Sequence, residues 1–386
     1  MRDPRIIIAG IGLAAMAAAG GITAASAGGS PASSAPSAGT AAAAVRTVPA
    51  AAGRNTQAIL VNAQAAAAST PGSLDPTFGN GGKVLSPGGG ATDAILQPNG
   101  DIVVSTGSGV ARFLPTGKLD TTFGSGGLAS AGFVGGEGLQ GIALQPDGKI
   151  IWVGSQNTPG FTPFGTFSFA LARFNANGSL DTSFGTGGKI LSSSGGITAL
   201  GLDAAGNIFT LPTRAEFSPT GQADTSVTPA AITASSHGGS SIFLPSGQFV
   251  QATGVAVAKH DNDIQVQRFN ADGSTASASP AFDYSGAAGL DQAIDSAGAV
   301  AVQANGQAVA DGAHFLSTSP FGLARVNPDG TLDTGFGSGG VLTTTFNGNE
   351  AVEAVLTQPD GKIIAAGFSD NNTTGQSFIA LARYNP

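Results

Sequence analysis

The sequence predicts an all-β fold, a single β-propeller of six blades with about four antiparallel strands each. Three observations support this fold. The 386 residues include 60 Gly, and a chain with so many flexible positions suits short strands joined by tight turns better than helices. One strand-like motif recurs six times after Thr70, and two parts of one incomplete copy lie at opposite ends of the repeat region.

Residues 1–27 are predicted to be an export signal peptide. Arg2 and Arg5 precede an apolar run from Ile6 to Ala19, and Ala25-Ser26-Ala27 provides the small residues that a signal peptidase requires. The alternative is that the segment stays uncleaved as a membrane anchor, since its apolar stretch approaches the ~20 residues that span a bilayer. Either way, the protein is expected to be secreted or held at the cell surface.

Residues 28–70 are predicted to be a disordered linker, because a segment of Ala, Ser, Pro and Gly buries too little apolar area to offset its ordering entropy. The propeller is expected to occupy residues 71–386. The chain contains no Cys, so its stability must come from packing rather than from disulfides. Its net charge of −8 excludes a basic surface for nucleic acid.

The repeat is clearest from Ile142, where IALQPDGKIIWVGS is followed by a variable loop and by FALARFNANGSLDTSFGTGGKIL. Alternating apolar residues predict strands, and the Asp-Gly and Asn-Gly pairs predict hairpin turns. Each copy therefore contains three strands and an LDxxFG arm that forms a fourth. Four short strands in a unit of tens of residues are typical of a propeller blade. The first turn of each copy contains Gly100, Gly148, Gly206, Gly247, Gly306 or Gly361.

The two ends of the repeat region predict a closed ring. The last copy stops at LARYNP, before an LDxxFG arm, while Gly72–Gly79 (GSLDPTFG) supplies an arm before the first copy. We expect this N-terminal arm to complete the last blade. A linear solenoid is the alternative, but it requires two distinct capping repeats, which the sequence lacks.

The motifs resemble those of the delta-60 repeat family, found in exported bacterial repeat proteins. The resemblance is carried by QPDGKI at Gln145, ALARFNANGSLDTSFGTGGKI at Ala170, ARVNPDGTLDTGFGSGG at Ala324 and QPDGKIIAAGFSD at Gln358. It extends over about Gly72 to Pro386. The third copy lacks the repeated Arg and the fourth lacks the LDxxFG arm. The resemblance implies an exported or surface β-propeller of unknown function and implies no activity.

An Arg and an Asp eight residues apart recur in the copies and are predicted to be structural. One hypothesis is an ion pair that fastens the arm to the third strand. The alternative is that the Asp caps its own turn while the Arg stays solvated. The pairs are Arg112 and Asp120, Arg173 and Asp181, Arg325 and Asp333, and, across the closure, Arg383 and Asp75. The arm residues Phe78, Phe123, Phe184 and Phe336 are predicted to lie in the core.

No catalytic, cofactor-binding or metal-binding motif is present in the sequence. Gly136–Gly141 matches GxGxxG but leads into a strand, whereas a phosphate site requires a helix. The three His, at positions 237, 260 and 314, have no zinc-site spacing. The protein is therefore expected to be non-catalytic and to need no cofactor.

The loop between the second and third strands varies in length, and insertions collected on one face usually indicate a binding face. Aromatic side chains beside amides and carboxylates suit sugars or peptides, although the Phe side chains could instead pack under their own loops. The candidate residues are Phe161, Phe164, Phe167, His260, Asp261, Asp263, His314, Phe315, Phe321, Asp370, Asn371 and Asn372.

The sequence thus predicts an acidic, monomeric propeller that binds a saccharide, a peptide or a protein, or acts as a scaffold. Two alternatives stay open: a secreted hydrolase or lyase with carboxylates at the propeller mouth, and a purely structural surface protein. Carboxylates that converge on the central channel would favour catalysis, and exposed aromatic residues on the loop face would favour binding.

Overall fold

The computed structural model describes thirteen parts of the chain: residues 69–133, 141–157, 167–191, 199–202, 205–211, 216–223, 241–244, 246, 248–258, 261–282, 295–296, 298–314 and 320–386. The chain divides into two units, residues 1–67 and 68–386, and the described residues all belong to the second. The predicted signal peptide and nearly all of the predicted linker lie outside the described residues. Within the described part, no helix has the length and apolar character needed to cross a membrane.

The described residues form strands and turns, which confirms the all-β prediction. In chain order the strands are β1 (Lys83–Pro87), β2 (Asp93–Leu96), β3 (Ile102–Thr106), β4 (Gly109–Phe113), β5 (Leu128–Ser130), β6 (Gly141–Leu144), β7 (Ile150–Asn157), β8 (Phe167–Phe174), β9 (Lys189–Leu191), β10 (Ala199–Leu202), β11 (Ile208–Leu211), β12 (Glu216–Phe217), β13 (Ser241–Phe243), β14 (Phe249–Ala258), β15 (Asp261–Phe269), β16 (Thr275–Ala278), β17 (Asp295–Ser296), β18 (Val300–Val302), β19 (Ala308–His314), β20 (Phe321–Val326), β21 (Val341–Thr344), β22 (Asn349–Thr357), β23 (Ile363–Asp370) and β24 (Ser377–Tyr384).

Within the described residues these strands form six antiparallel sheets, one for each copy of the repeat. We number them in chain order: sheet 1 is β2–β5, sheet 2 is β6–β9, sheet 3 is β10–β12, sheet 4 is β13–β16 and sheet 5 is β17–β21, with β17 and β18 both paired to β19. Sheet 6 has the order β22-β23-β24-β1, so its outer strand comes from the N-terminal side of the repeats. Sheet 4 has a fourth strand, β16, although the sequence of that copy lacks a recognisable arm.

The turns form because Gly and Asp occupy the positions that need them. In the first turn of sheet 2, Gly148 has φ +83°, a conformation that strains other residues. Its N–H donates to Gln145 O at 2.9 Å. Asp147 Oδ1 accepts from the N–H of Lys149 at 3.1 Å. This hairpin places the first strand antiparallel to the second, with Leu144 opposite Ile150.

The sheets pack against one another through their first strands. Strand β22 contacts β2, β2 contacts β6, and β6 contacts β10. In the later repeats, β13 and β14 of sheet 4 contact β18 of sheet 5, and β18 and β19 of sheet 5 contact β22 of sheet 6. The apolar core lies between neighbouring sheets: Ile102 and Phe113 of sheet 1, for example, pack with Leu356 and Ile364 of sheet 6. Among the described residues, such cores lie between sheets 6 and 1, 1 and 2, 2 and 3, 4 and 5, and 5 and 6, and this succession is a β-propeller arrangement.

The N-terminal arm packs on the last strand. Strand β1 pairs with β24 from Lys83↔Ala382 to Pro87↔Phe378. The preceding residues complete a turn with the C-terminal residues, because Gly72 N donates to Asn385 O at 3.0 Å and Asn385 N donates to Ser73 O at 2.9 Å.

An uninterrupted turn in sheet 2 has the same hydrogen bonds. There Gly178 N donates to Asn175 O and Asn175 N donates to Ser179 O, both at 2.8 Å. We call the set Asn385, Pro386, Pro71 and Gly72 the split turn, because its two halves come from opposite ends of the repeat region.

Candidate functional site

Each of the four predicted Arg–Asp pairs forms a close ion pair, which we call the Arg clasp. The closest atoms are 2.6 Å apart in Arg112–Asp120, 2.8 Å in Arg173–Asp181, 2.7 Å in Arg325–Asp333 and 2.9 Å in Arg383–Asp75. The last pair joins the C-terminal strand to the N-terminal arm. The clasp therefore fastens the arm to the third strand of its sheet.

The same carboxylates also cap their own turns through the other oxygen, as the alternative proposed, but the Arg is paired rather than solvated. Asp75 Oδ2 contacts Arg383, while Oδ1 accepts from Thr77 N at 3.0 Å and Thr77 Oγ1 at 2.7 Å. Burial acts to raise the pKa of Asp75, but the Thr77 hydrogen bonds, the Arg383 charge and Lys362 together lower it to about 2. Opposing effects also lower the pKa of Asp181 to about 2, where the largest, burial, is outweighed by Ser183, Lys149 and Arg173.

Three of the four clasps also link their sheet to the next. Arg112 Nη1 donates to Ala176 O of sheet 2 at 2.6 Å, and Arg383 Nη1 donates to Pro115 O of sheet 1 at 2.6 Å. Arg173 Nη1 donates to Pro219 O of sheet 3. In sheet 4, Arg268 instead donates to Gly306 O of sheet 5.

Each clasp guanidinium also lies over the arm Phe of its own sheet, with 4.5–4.8 Å from its carbon to the ring centroid. The rings are those of Phe78, Phe123, Phe184 and Phe336. All four side chains are 0% exposed, as predicted. These residues are scaffold.

The predicted loop-face residues are only partly described. Four of them, Phe161, Phe164, His260 and Phe315, lie outside the described residues. Phe167, Asp261 and His314 lie at the ends of strands β8, β15 and β19.

Four further loop-face residues lie in β15, at the end of β23 or in the connection that follows β23. Asp263 is half-buried in β15, and Asp370 is half-buried at the end of β23. Asn371 and Asn372 are exposed, and Asn371 Oδ1 accepts from the N–H groups of Thr373 and Thr374 at 2.9 and 3.0 Å. This turn remains the best-described part of the predicted loop face.

Phe321 does not belong to the loop face, and that prediction is wrong. It begins strand β20 and is 0% exposed. Its ring packs edge-on against Phe346, with the centroids 5.0 Å apart. The apolar neighbours in FGLARV extend the strand to Phe321, and the core between sheets 5 and 6 covers the side chain.

Three carboxyl groups that sequence reasoning missed lie on strands that pack against one another, Glu353 on β22 and Asp93 and Asp311 on β2 and β19, and we call them the carboxyl cluster. Asp93 begins β2, Asp311 lies in β19 and Glu353 lies in β22, so sheets 1, 5 and 6 contribute one each. The charge of Glu353 acts on both of the others.

These carboxyls are not repeated, which is the signal that could have revealed them. The position of Asp93, four residues before the turn Gln, holds Gly141 or Ala299 in other copies. The position of Asp311, five residues after the turn Gly, holds Val153 or Ala366.

Asp93 and Asp311 are fully buried and held by backbone N–H groups. Asp93 is 0% exposed, and its two oxygens accept from Ala94 N at 2.7 Å and Ile142 N at 2.9 Å. Asp311 is also 0% exposed, and its Oδ1 accepts from the N–H groups of Gly298 and Ala299. Asp311 Oδ2 has no hydrogen-bond partner among the described residues.

Glu353 lies at a β-bulge, where the pairing of β22 with β23 shifts between Val352 and Ala354. Bulges re-aim side chains and are common beside functional sites. Burial raises the pKa of Glu353 to about 7. Burial, and then the charge of Glu353, raise the pKa values of Asp93 and Asp311 well above their usual range.

The perturbing groups identified for these three carboxyls include no Lys, Arg or His. Burial therefore acts on the pKa values of these carboxyls without a cation among the identified groups to oppose it. Within the described residues, no group of three or more His, Asp or Glu side chains is arranged to hold a metal ion.

The succession of antiparallel sheets, each built on one copy of a sequence unit, is the arrangement of a repeat β-propeller. Residues 145–184, 303–336 and 358–386 match the family model described as a domain of unknown function (DUF5122) beta-propeller. These three segments are therefore similar to this family, which agrees with the resemblance to the delta-60 repeats.

Several solved structures are similar over most of this chain at low identity. A glucose dehydrogenase is 11% identical, with 78% of this chain and 97% of that chain covered and a TM-score of 0.39. The gluconolactonase XC5397 from Xanthomonas campestris is 13% identical, with coverages of 77% and 87% and a TM-score of 0.36. A xylan beta-1,4-xylosidase from Bacillus halodurans C-125 is 13% identical, with coverages of 78% and 53% and a TM-score of 0.34. No curated protein matches the sequence.

Proposed function

We propose that the protein is an exported, monomeric, six-bladed propeller that binds a ligand at the end of its channel, without catalysis. Residues 1–27 are the export signal in this proposal, and residues 28–70 are the linker to the propeller. The six sheets are the blades, and the N-terminal arm closes the ring. Strand β1 on β24, the split turn and the Arg383–Asp75 pair support this closure.

The observation that carries the binding proposal is the carboxyl cluster. One carboxyl lies at the bulge of β22 and the other two on strands β2 and β19, which pack against β22, and one buried oxygen, Asp311 Oδ2, has no described partner. A buried polar atom without a partner costs free energy of folding. A site that keeps one is therefore a candidate for a ligand.

The cluster lies on the same face as the variable loops. Asp93 is opposite Ser105, one residue before the end of β3, and the loop to the third strand follows. In sheet 6, the loop after Asp370 begins opposite Asn349, four residues before Glu353 in the sequence. A ligand at the cluster would therefore be bordered by the loops predicted to vary.

Ligand-induced thermal shifts of the full chain test this proposal. Cell-wall saccharides, glycans, peptides and amines form the panel. We expect a stabilising ligand whose shift disappears in Glu353→Gln, because that side chain is the least buried member of the cluster. Asp360→Asn, at an exposed turn carboxylate, is the control with the same charge change and should retain the shift. A ligand whose shift persists in Glu353→Gln would contradict a site at the cluster.

Catalysis by a hydrolase or lyase is the second candidate, and the raised pKa of Glu353 favours it. A carboxyl with a pKa of about 7 suits a general acid. Glycoside hydrolysis usually requires two carboxyls at the substrate, whereas Asp93 and Asp311 have no exposed surface. Release of reducing sugar from the saccharide panel, lost in Glu353→Gln and retained in Asp360→Asn, would establish this candidate over simple binding.

A further inference from the structure

We infer that Asn80, in the N-terminal arm, is a site of spontaneous deamidation, at which the side-chain amide is converted to an aspartate or an isoaspartate. The reactants are Asn80, the backbone nitrogen of Gly81 and water. The inference goes beyond the proposed function and does not depend on the carboxyl cluster.

The reaction requires a following N–H that can lose its proton. The deprotonated Gly81 nitrogen forms a bond to Cγ of Asn80, the bond from Cγ to the side-chain nitrogen breaks, and ammonia leaves with the proton that Gly81 has lost. Water then opens the resulting succinimide ring at either of its two carbonyl carbons, which gives aspartate or isoaspartate. Such covalent changes alter both the charge and the backbone of a protein.

The glycine N–H distinguishes Asn80 from the other Asn-Gly pairs. The sequence contains five such pairs, all within the described residues, and all five Asn residues are exposed. The N–H of Gly81 has no hydrogen-bond partner among the described residues. The other four glycines donate: Gly100 N to Gln97 O, Gly178 N to Asn175 O and Gly306 N to Gln303 O, all at 2.8 Å, and Gly348 N to Glu350 Oε1 at 2.7 Å.

The side-chain amide of Asn80 is also free to turn toward the nitrogen that attacks it. It makes no hydrogen bond within the described residues. In three of the other pairs the Oδ1 atom accepts from the N–H two residues further on, at 3.1 Å for Asn99, 3.0 Å for Asn177 and 3.0 Å for Asn305. These hydrogen bonds must break before the amide can react.

The space around the succinimide ring is largest at Asn80. A methyl group placed on Gly81 would meet no atom within 4 Å, whereas one placed on Gly348 would lie 2.5 Å from Asp370 O. At the remaining three glycines the nearest atom would lie at 2.6–3.3 Å. Asn80 therefore combines an unbonded N–H, an unbonded amide and open space.

The turn conformation explains why the Gly81 N–H is unbonded. Asn80 N donates to Lys83 O at 2.8 Å, and Gly81 and Gly82 have φ +61° and +94°. Positive φ at both central residues is typical of a two-residue hairpin turn of type I′. The hydrogen bonds of this turn join Asn80 to Lys83, so they leave the N–H of the exposed Gly81 to water.

Isoaspartate at this position would lengthen the main chain by one carbon between the buried Phe78 and strand β1. The hydrogen bond from residue 80 to Lys83 O fixes where β1 begins, and β1 pairs with β24 from Lys83 onward. We therefore expect the modified protein to hold its N-terminal arm less firmly than the unmodified protein does.

Incubation of the full chain in a warm, mildly alkaline buffer tests the inference. Brief proteolysis and mass spectrometry, with fragmentation that distinguishes aspartate from isoaspartate, give the deamidation rate at each of the five Asn-Gly pairs. We expect Asn80 to react at least about tenfold faster than any other pair, because a hydrogen-bonded N–H must open before it can lose its proton. Similar rates at all five pairs, or faster reaction at another Asn, would overturn the inference.

A matched pair of substitutions in sheet 5 separates the unbonded N–H from the sequence alone. Ser338 occupies the same turn position as Asn80: its N–H donates to Val341 O at 2.8 Å, and a methyl group on Gly339 would meet no atom within 4 Å. Ser338→Asn should create a second fast site. Asp329→Asn, before the hydrogen-bonded Gly330 N, should stay slow. Equal rates at the two new Asn residues, in proteins shown by circular dichroism to be folded, would refute the role of the unbonded N–H.

Asn80→Ser tests the effect on the arm, since the equivalent turns already contain Ser125 and Ser338. After the incubation, the melting temperature of the wild-type protein should have fallen, whereas that of Asn80→Ser should not have changed. Unincubated Asn80→Asp, which has the charge of the product but a normal backbone, should melt close to the unincubated wild type. An equal fall in Asn80→Ser would contradict the expected loosening of the arm.

Discussion

At the residue scale, the Asp of the Arg clasp uses one carboxyl oxygen for the ion pair with Arg and the other to cap its own turn. Asp181 pairs with Arg173 through Oδ2 and caps its turn through Oδ1, which accepts from Ser183 N and Oγ. Arg173 is 3% exposed, so it depends on Asp181 and on the neighbouring turn for its partners. The pair was predictable from its repeated spacing, but spacing alone could not show that the same Asp side chain both pairs with Arg173 and caps its turn.

Asp181→Ala should lower the free energy of unfolding by about 3 kcal/mol, because it leaves a buried guanidinium without its counter-charge and removes a turn cap. Guanidinium-chloride denaturation measures the change. Asp147→Ala is the matched control, since Asp147 pairs with Lys149 at 3.4 Å while 54% exposed, and exposed pairs contribute about 0–1 kcal/mol. Equal stability of wild-type protein and Asp181→Ala would show that the clasp is dispensable.

The unrepeated residues limited sequence reasoning more than the repeated ones did. The clasp and the buried Phe residues were predictable because several copies show the same residues at the same spacing. Glu353 occurs once, in a strand of otherwise ordinary composition, and its role depends on a bulge and on two carboxyls distant in sequence. Phe321 was misplaced because loop length between two motifs does not reveal where the third strand begins.

At the element scale, the N-terminal arm belongs to the last sheet. Leu74 pairs with Tyr384, Phe78 is fully buried, and β1 covers the outer edge of β24. An exposed strand edge invites pairing with other chains. The arm therefore protects the sheet that contains the C-terminal strand.

Deletion of residues 72–85 should lower the melting temperature by more than about 10 °C, because it removes a strand, a core Phe and the partner of Arg383 together. Differential scanning calorimetry checks this, with light scattering to detect aggregation through the uncovered strand. Deletion of residues 40–66, which lie outside the described propeller, is the control and should leave the melting temperature unchanged. An unchanged melting temperature after the deletion of residues 72–85 would contradict the proposed closure of the ring by the N-terminal arm.

At the scale of the whole molecule, two sets of carboxyls shape stability in opposite directions. Asp75 and Asp181 have pKa values lowered to about 2, so the folded state binds fewer protons than the unfolded state. Their stabilisation is present above about pH 4 and is lost as the pH falls toward about 2. The pKa of Glu353 is raised from 4.5 to about 7, so its contribution is complete below about pH 4.5 and is lost as the pH rises through about 7.

Stability should therefore be greatest near about pH 4 to about pH 5, and should fall by about 2–3 kcal/mol as the pH rises to about 7. Urea denaturation across this range measures the profile. Glu353→Gln should flatten the alkaline side, because Gln has no proton to lose, whereas Asp360→Asn should keep the wild-type profile. A wild-type profile that rises from about pH 5 to about pH 8 would contradict the assignment of buried, protonated carboxyls.

The split turn offsets the sequence repeats from the sheets by one strand, because the outer strand of the last sheet, β1, comes from before the first repeat. Because Asn385 forms the hydrogen bonds of an ordinary turn with Gly72 and Ser73, a peptide bond from Pro386 to Pro71 would restore an unbroken chain. New ends could then be opened at an equivalent turn, such as Asn175–Gly178, to give a circular permutant with the same sheets. Duplication of one repeat in the gene would likewise insert a complete blade, since the closing halves of the last blade are carried separately at the two ends. In the closed ring that we propose, this offset would let whole repeats be added or removed while the same seam closes the ring.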